Sequence, residues 1–252
     1  MKTRARKAGM VMLCIIIWAM SFAGLGKCDL AQPEYEYGDF TYRILGGESV
    51  EKYVTISGLT QEGQEKEVLV VPKTIEGYSV THIMKGIPSM NNAVDWKSDK
   101  LTALYLYDNL FVDAWFHCPN LKGAFMLSVS MEKGFYIGDR LSKIYVSVVH
   151  YFACYDNAPY IVYPANITYN YNYESAPNNG CYWLDNLKDG EKITYVPEEP
   201  KREGYRFGGW YHEAECINKW DFENDTIISY EYEEYTQETF YENVLYAEWL
   251  EI

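Results

Sequence analysis

A chain of 252 residues with 48% hydrophobic composition can bury a sizeable core in one or two domains, which excludes wholesale disorder. Its formal charge of −14 disfavours phosphate backbones and unaided adsorption to anionic lipid, so nucleic acid is excluded as a partner. Tyrosine is the outlier, with 25 copies against 10 Phe, and favours half-wet strands and extracellular recognition surfaces over helices.

The first 26 residues are a different material. Lys2, Arg4, Arg6 and Lys7 precede an apolar run from Met10 to Met20. Small residues for a signal peptidase follow in Ser21–Phe22–Ala23 or Gly24–Leu25–Gly26. Residues 1–26 therefore read as a secretory signal, too short in its apolar part to span a membrane comfortably. Losing those four cations takes the formal charge from −14 to −18. Leu25–Gly26–Lys27 before Cys28 is similar to a lipobox, except that Lys27 stands where a small residue belongs, so a lipid at Cys28 is an open alternative. Cys14 falls inside the leader. Cys118, Cys154, Cys181 and Cys216 remain, without a CxxC pair. Outside the cytosol they can pair in any of three ways, or remain small buried thiols.

Beyond the leader, "GDFTYRIL" (Gly38 to Leu45) and "KYVTISGLT" (Lys52 to Thr60) predict a hairpin. A repeat follows. "LTALYL" begins at Leu101, "LKGAFM" at Leu121 and "LSKIYV" at Leu141, a spacing of twenty residues taken twice. The apolar positions are Leu101, Leu104 and Leu106, then Leu121, Ala124 and Met126, then Leu141, Ile144 and Val146. "VTHIMK" at Val80 is a looser earlier copy, broken by Lys85. Such a period implies strands that cannot bury their apolar side alone and must stack in parallel. The alternate residues Tyr105, Tyr107, Phe125 and Tyr145 then fall on the other side of the stack. They offer a contact surface for protein or glycan, or else pack under flanking loops.

Ala114, Phe116, Cys118 and Leu121, with "VVPKTIEGYSVTHI" (Val70 to Ile83) upstream, resemble the BspA-like class of bacterial leucine-rich repeat. The resemblance covers roughly Pro33 to Phe152 and implies a short, irregular solenoid domain over 33–156.

After Pro164 the pattern changes. "ANITYNYNY" alternates Ile167, Tyr169, Tyr171 and Tyr173 as a strand, and "ESAPNNGC" is a turn. A second strand is expected at Ile193 to Val196, stopped by Pro197 and Pro200. "YRFGGWYH" is a third, where Gly208–Gly209 permits a bulge, and "NVLYAEWLEI" closes the chain. The segment from Pro197 to Ile252 carries 15 acidic and four basic residues. Pro200, Gly204, Tyr205, Phe207, Gly209, Trp210, Tyr211, Trp220, Asp221, Phe222, Leu245, Tyr246, Ala247 and Trp249 resemble the Listeria–Bacteroides, or internalin B-type, repeat. That resemblance implies a small β-grasp-like domain over 163–252, on bacterial surface or secreted proteins. So small a domain needs large rings inside, and Phe207, Trp210, Trp220 and Trp249 read as its core, with Tyr211 facing outward.

Catalytic fingerprints are missing: no GxSxG, HExxH, phosphate loop or dinucleotide motif occurs. His212 with Cys216 is a weak metal pair, and Asp221, Glu223 and Asp225 begin like a calcium loop but have Thr226 where glycine is required. The expectation is a mainly β protein without cofactor or metal, non-catalytic, exported to the cell surface or beyond, which binds protein or glycan on a host, matrix or envelope surface. A structural spacer and a secreted hydrolase with an unfamiliar site are the alternatives.

Overall fold

A computed structural model describes residues 33–47, 50–85, 93–108, 110–128, 136–137, 143–148, 151, 162–229 and 242–252. The expected hairpin is present: Phe40–Gly47 pairs antiparallel with Val50–Leu59, and the short strand Tyr35–Tyr37 adds to its outer edge. Thr60 ends the hairpin by capping a single helical turn, Gln61–Gln64, its hydroxyl accepting from the Gly63 amide at 3.1 Å.

From Val50–Leu59 to Val162–Pro164 neighbouring strands run parallel, apart from the short Thr74–Ile75, because each successive turn of the chain lays a strand beside an earlier one. Val50–Leu59, Tyr78–Ile83, Phe111–Val112 and Tyr136–Ile137 form one strip, and Val94–Lys97 with Ala114–His117 a second. The third strip has five strands: Val68–Val70, Ala103–Leu106, Gly123–Met126, Ile144–Val146 and Val162–Pro164. Here the twenty-residue period becomes hydrogen-bond register, with Leu104 opposite Ala124 and Ala124 opposite Ile144. Leu101, Leu104, Leu106 and Ile144 point into a common core with Trp96 and Ile56, while Leu121 is half-buried against it. Leu141 lies outside the described residues.

The looser copy at Val80 is not part of that stack. Tyr78–Ile83 belongs to the first strip, and Val68–Val70 takes the position beside Ala103–Leu106, with Leu69 opposite Leu104. A tight turn explains the placement. Glu76 and Gly77 both have positive φ (52° and 84°), folding Thr74–Ile75 back onto Tyr78–Ile83 and directing the latter to the hairpin.

The C-terminal strands form a separate four-stranded sheet. Ile167–Asn170 pairs antiparallel with Cys181–Asp185 and parallel with Asn243–Glu251, which pairs antiparallel with Tyr205–Tyr211. Two expectations change here. The strand predicted at Ile193 to Val196 forms no ladder among the described residues; Ile193 is buried, and Thr194, Tyr195 and Val196 are exposed. The sheet instead contains Cys181–Asp185, whose first residue falls in the stretch expected as a turn. The Gly208–Gly209 bulge is present: the register shifts between Phe207 and Gly209, and Gly209 sits at φ +135°. Trp210 and Trp220 are buried, whereas Phe207 and Trp249 are half-buried at the sheet margin. No α-helix crosses this sheet among the described residues.

Candidate functional site

Alternation along a strand sends Leu104 and Leu106 inward and Tyr105 outward. Parallel pairing then sets Val70, Tyr105, Phe125, Tyr145 and Tyr163 side by side on the outer surface of the five-stranded sheet. Tyr105 and Phe125 stack at 4.9 Å between centroids, as do Phe125 and Tyr145.

This ladder is not an exposed contact surface. Tyr105, Phe125 and Tyr145 retain 1%, 2% and 7% of their accessible area. Among the described residues, the C-terminal sheet supplies the cover over Tyr105 and shares one hydrophobic cluster with Phe125 and Tyr145. Trp183 stacks on Tyr105 at 3.6 Å, and the Tyr105 hydroxyl donates to the Leu184 carbonyl at 2.9 Å. The rings share one hydrophobic cluster with Tyr169, Trp210, Leu245 and Ala247, which joins the two parts of the chain. Burial pushes the Tyr105 hydroxyl well above its ordinary range, as it does that of Tyr169.

Tyr107, two residues further along its chain, escapes this cover. It is half-buried and borders a cleft of about 540 Å³ between the five-stranded sheet and the C-terminal sheet. Tyr171, Tyr182, Trp183 and Tyr195 supply further aromatic wall. The rings meet at different angles: Tyr171 and Tyr182 at 67°, Trp183 and Tyr195 at 30°. The Lys73 ammonium lies 4.4 Å from the Tyr107 ring centre, and Asn178 and Glu198 complete the polar lining. Tyr182 donates to the Glu198 carbonyl at 2.5 Å, which fixes its ring. Burial pushes the Tyr171 hydroxyl up to about 12, so these phenols remain neutral donors at physiological pH. Tyr171, Tyr182, Trp183 and Tyr195 were not singled out as contact residues in the sequence. The signal available was the density of aromatic residues around Pro177 and Pro197.

The other predicted positions are dispersed. Tyr211 is half-buried on the opposite edge strand and donates to the Glu248 carboxylate at 2.9 Å. His212 pairs through Nε2 with Asp225 at 2.9 Å, while Cys216 packs toward Asn172 and the Ala247 carbonyl, so the two do not converge. Asp221 accepts from the Glu223 and Asn224 amides, and Asp225 from the Asp221 amide, closing their own turn. Cys118, Cys181 and Cys216 are free thiols. Cys154 and Cys28 lie outside the described residues, as does the leader.

The architecture is that of a mainly β protein whose two parts share an aromatic seam. Residues 166–233 match the family model of the Listeria-Bacteroides repeat domain, a module found in bacterial surface proteins. The match takes in the strands Ile167–Asn170, Cys181–Asp185 and Tyr205–Tyr211 and ends before Asn243–Glu251. Among curated proteins, none matches the chain.

Proposed function

We propose that the chain is a non-catalytic, exported bacterial surface or secreted protein that binds a host or environmental macromolecule. Residues 1–26 act as its secretory signal, 33–156 as a short leucine-rich repeat solenoid of BspA-like type, and 163–252 as a β-grasp-like Listeria–Bacteroides repeat domain. The observation that carries the reading is the family match at residues 166–233, a module of bacterial surface proteins. The aromatic cleft beside the seam supports it, being the kind of concave, ring-lined feature on which recognition is built.

Capture tests this. The mature protein, immobilised, is exposed to matrix proteins and to envelope and host glycans. Saturable retention of one of them supports binding, and retention of none, alongside full folding, overturns it. The spacer reading has one observation in its favour, the shared hydrophobic cluster that stiffens the joint between the two parts. A spacer predicts an inert cleft in the same experiment. Export is read separately from the mass of the mature N-terminus, where a start at Cys28 with added lipid mass marks a lipoprotein.

A further inference from the structure

The cleft restricts the chemistry of its occupant. Its volume of about 540 Å³ falls in the range of small-ligand sites, about 300–1,000 Å³. Three ligand classes fit poorly. A quaternary ammonium or lysine side chain needs an open ring face and no competing cation, but Lys73 already holds its ammonium over Tyr107. A polyanion meets a chain of net charge −14, and among the described lining residues the single lysine, Lys73, is offset by Glu198. An extended proline-rich peptide needs parallel ridges of rings, whereas Tyr171 and Tyr182 stand 67° apart.

What remains is a neutral, compact ring with one apolar face and polar groups around its rim. A pyranose has this form: its axial C–H groups pack on an aromatic face through dispersion, and its hydroxyls both donate and accept. The cleft supplies both halves. Tyr195 is 40% exposed and offers an accessible aromatic surface beside Trp183. Lys73 can donate, Asn178 can donate and accept, and the Glu198 carboxylate can accept.

We propose that this cleft is a saccharide-binding site, in which a neutral pyranose residue of a surface or matrix glycan stacks on Tyr195 and hydrogen-bonds to Lys73, Asn178 and Glu198. The assignment rests on the reading of the chain as a binding protein and names its ligand class.

The test applies the mature full-length protein to an array of neutral and acidic oligosaccharides, followed by titration calorimetry with the best neutral hit. Wild type should bind, and Tyr195→Ala should weaken that binding about tenfold or more, the loss typical of a removed aromatic anchor. Tyr195→Phe should retain it, since stacking needs the ring and not the hydroxyl. Tyr211→Phe, outside the cleft, should bind as wild type. Tyr195 is exposed enough that its alanine variant should keep the wild-type unfolding midpoint, and Glu198→Gln provides a second, isosteric probe of the same site. Unchanged affinity in both Tyr195→Ala and Glu198→Gln overturns the proposal. So does an array that stays silent while a protein or proline-rich peptide is captured, an outcome that leaves the broader binding reading intact. Failure of every glycan and protein probe overturns both.

Discussion

Trp183 lies on Tyr105 with ring centroids 3.6 Å apart and planes 25° apart, and the Tyr105 hydroxyl donates to the carbonyl of the next residue, Leu184. One residue comes from the parallel stack and the other from the C-terminal sheet, so this pair joins two hydrophobic bodies. The exposed recognition surface that a ring ladder suggests is thereby converted into an internal seam.

If the seam holds the parts together, they unfold as one. Urea denaturation of the mature protein should give a single transition by both tryptophan fluorescence and far-UV circular dichroism. Trp183→Ala removes a buried ring from the centre of the seam and should cost ~3–5 kcal/mol. Tyr105→Phe leaves the ring but strands the Leu184 carbonyl, a loss of about 1–3 kcal/mol. A double-mutant cycle between Trp183→Ala and Tyr105→Ala should return a coupling of about 0.5–1.5 kcal/mol for the stacked pair. Additive losses, or two separate transitions in wild type, would show that the halves are independent.

The parallel stack was legible in the sequence because its signal is periodic. Apolar residues at a fixed twenty-residue interval can share a core only by stacking, and the register of Leu104, Ala124 and Ile144 agrees with that. The fate of Tyr105 was harder to read, since alternation says which side a residue takes and not what covers that side. A clue was present: "ALYL" and "GAFM" are small or apolar at every position, the pattern of a parallel strand buried on both faces. Local pattern also misled in the C-terminal sheet. Thr194, Tyr195 and Val196 have strong strand propensity but no ladder partner among the described residues, while Cys181–Asp185 follows a turn built from Asn178 and Asn179 at positive φ. The Gly208–Gly209 bulge was foreseen because it depends on residues adjacent in sequence. The cleft was not, because Lys73, Tyr107, Asn178 and Tyr195 meet only when the two sheets do.

At the far margin of the C-terminal sheet Arg202 places its guanidinium 3.8 Å from the Tyr205 ring centre and 4.4 Å from that of Tyr173. A planar cation between two rings gains from both stacking and electrostatics, which an ammonium does not reproduce. Arg202→Ala should lower stability by about 0.5–1 kcal/mol, the range for partly exposed cation–π pairs. Arg202→Lys should recover only part of that loss. Full recovery by lysine in chemical denaturation would mean that charge, and not planar stacking, is what this position needs.

Thiol chemistry reports the same burial. Cys118 and Cys181 are buried, and desolvation raises both, Cys181 to about 12, so little thiolate forms at neutral pH. Cys216 is also raised, by burial first, but is half-buried near the surface turn. Brief iodoacetamide treatment of the native protein at pH 8, read by peptide-resolved mass spectrometry, should label Cys216 first and spare Cys118 and Cys181 until denaturant is added. Early labelling of Cys181 would contradict its placement inside the sheet.

Two carboxyls give the seam and its sheet a pH dependence of unusual sign. Burial raises Asp185 above its ordinary 3.8 and Glu242 above 4.5, against weaker stabilisation of the charged forms by the Asn186 amide and the Thr168 hydroxyl. A carboxyl raised in the folded chain takes up its proton before the unfolded chain does, so acidification favours folding. The contribution is complete below the ordinary value and is lost as pH rises through the folded value. Asp221 runs the other way: hydrogen bonds from Asn224 and Glu223 hold it below 3.8, and its contribution disappears only in stronger acid. Between about pH 4.5 and neutrality the first pair therefore dominates. Asp185→Asn and Glu242→Gln keep a side-chain oxygen to accept from Asn186 and Thr168 while removing the buried charge. Each should match or exceed wild-type stability at pH 7, and the excess should shrink toward pH 4.5. The whole chain's acidity also favours folding on acidification through reduced repulsion, so the diagnostic quantity is the difference between variant and wild type across pH. A constant difference would show that neither carboxyl changes its proton affinity on folding.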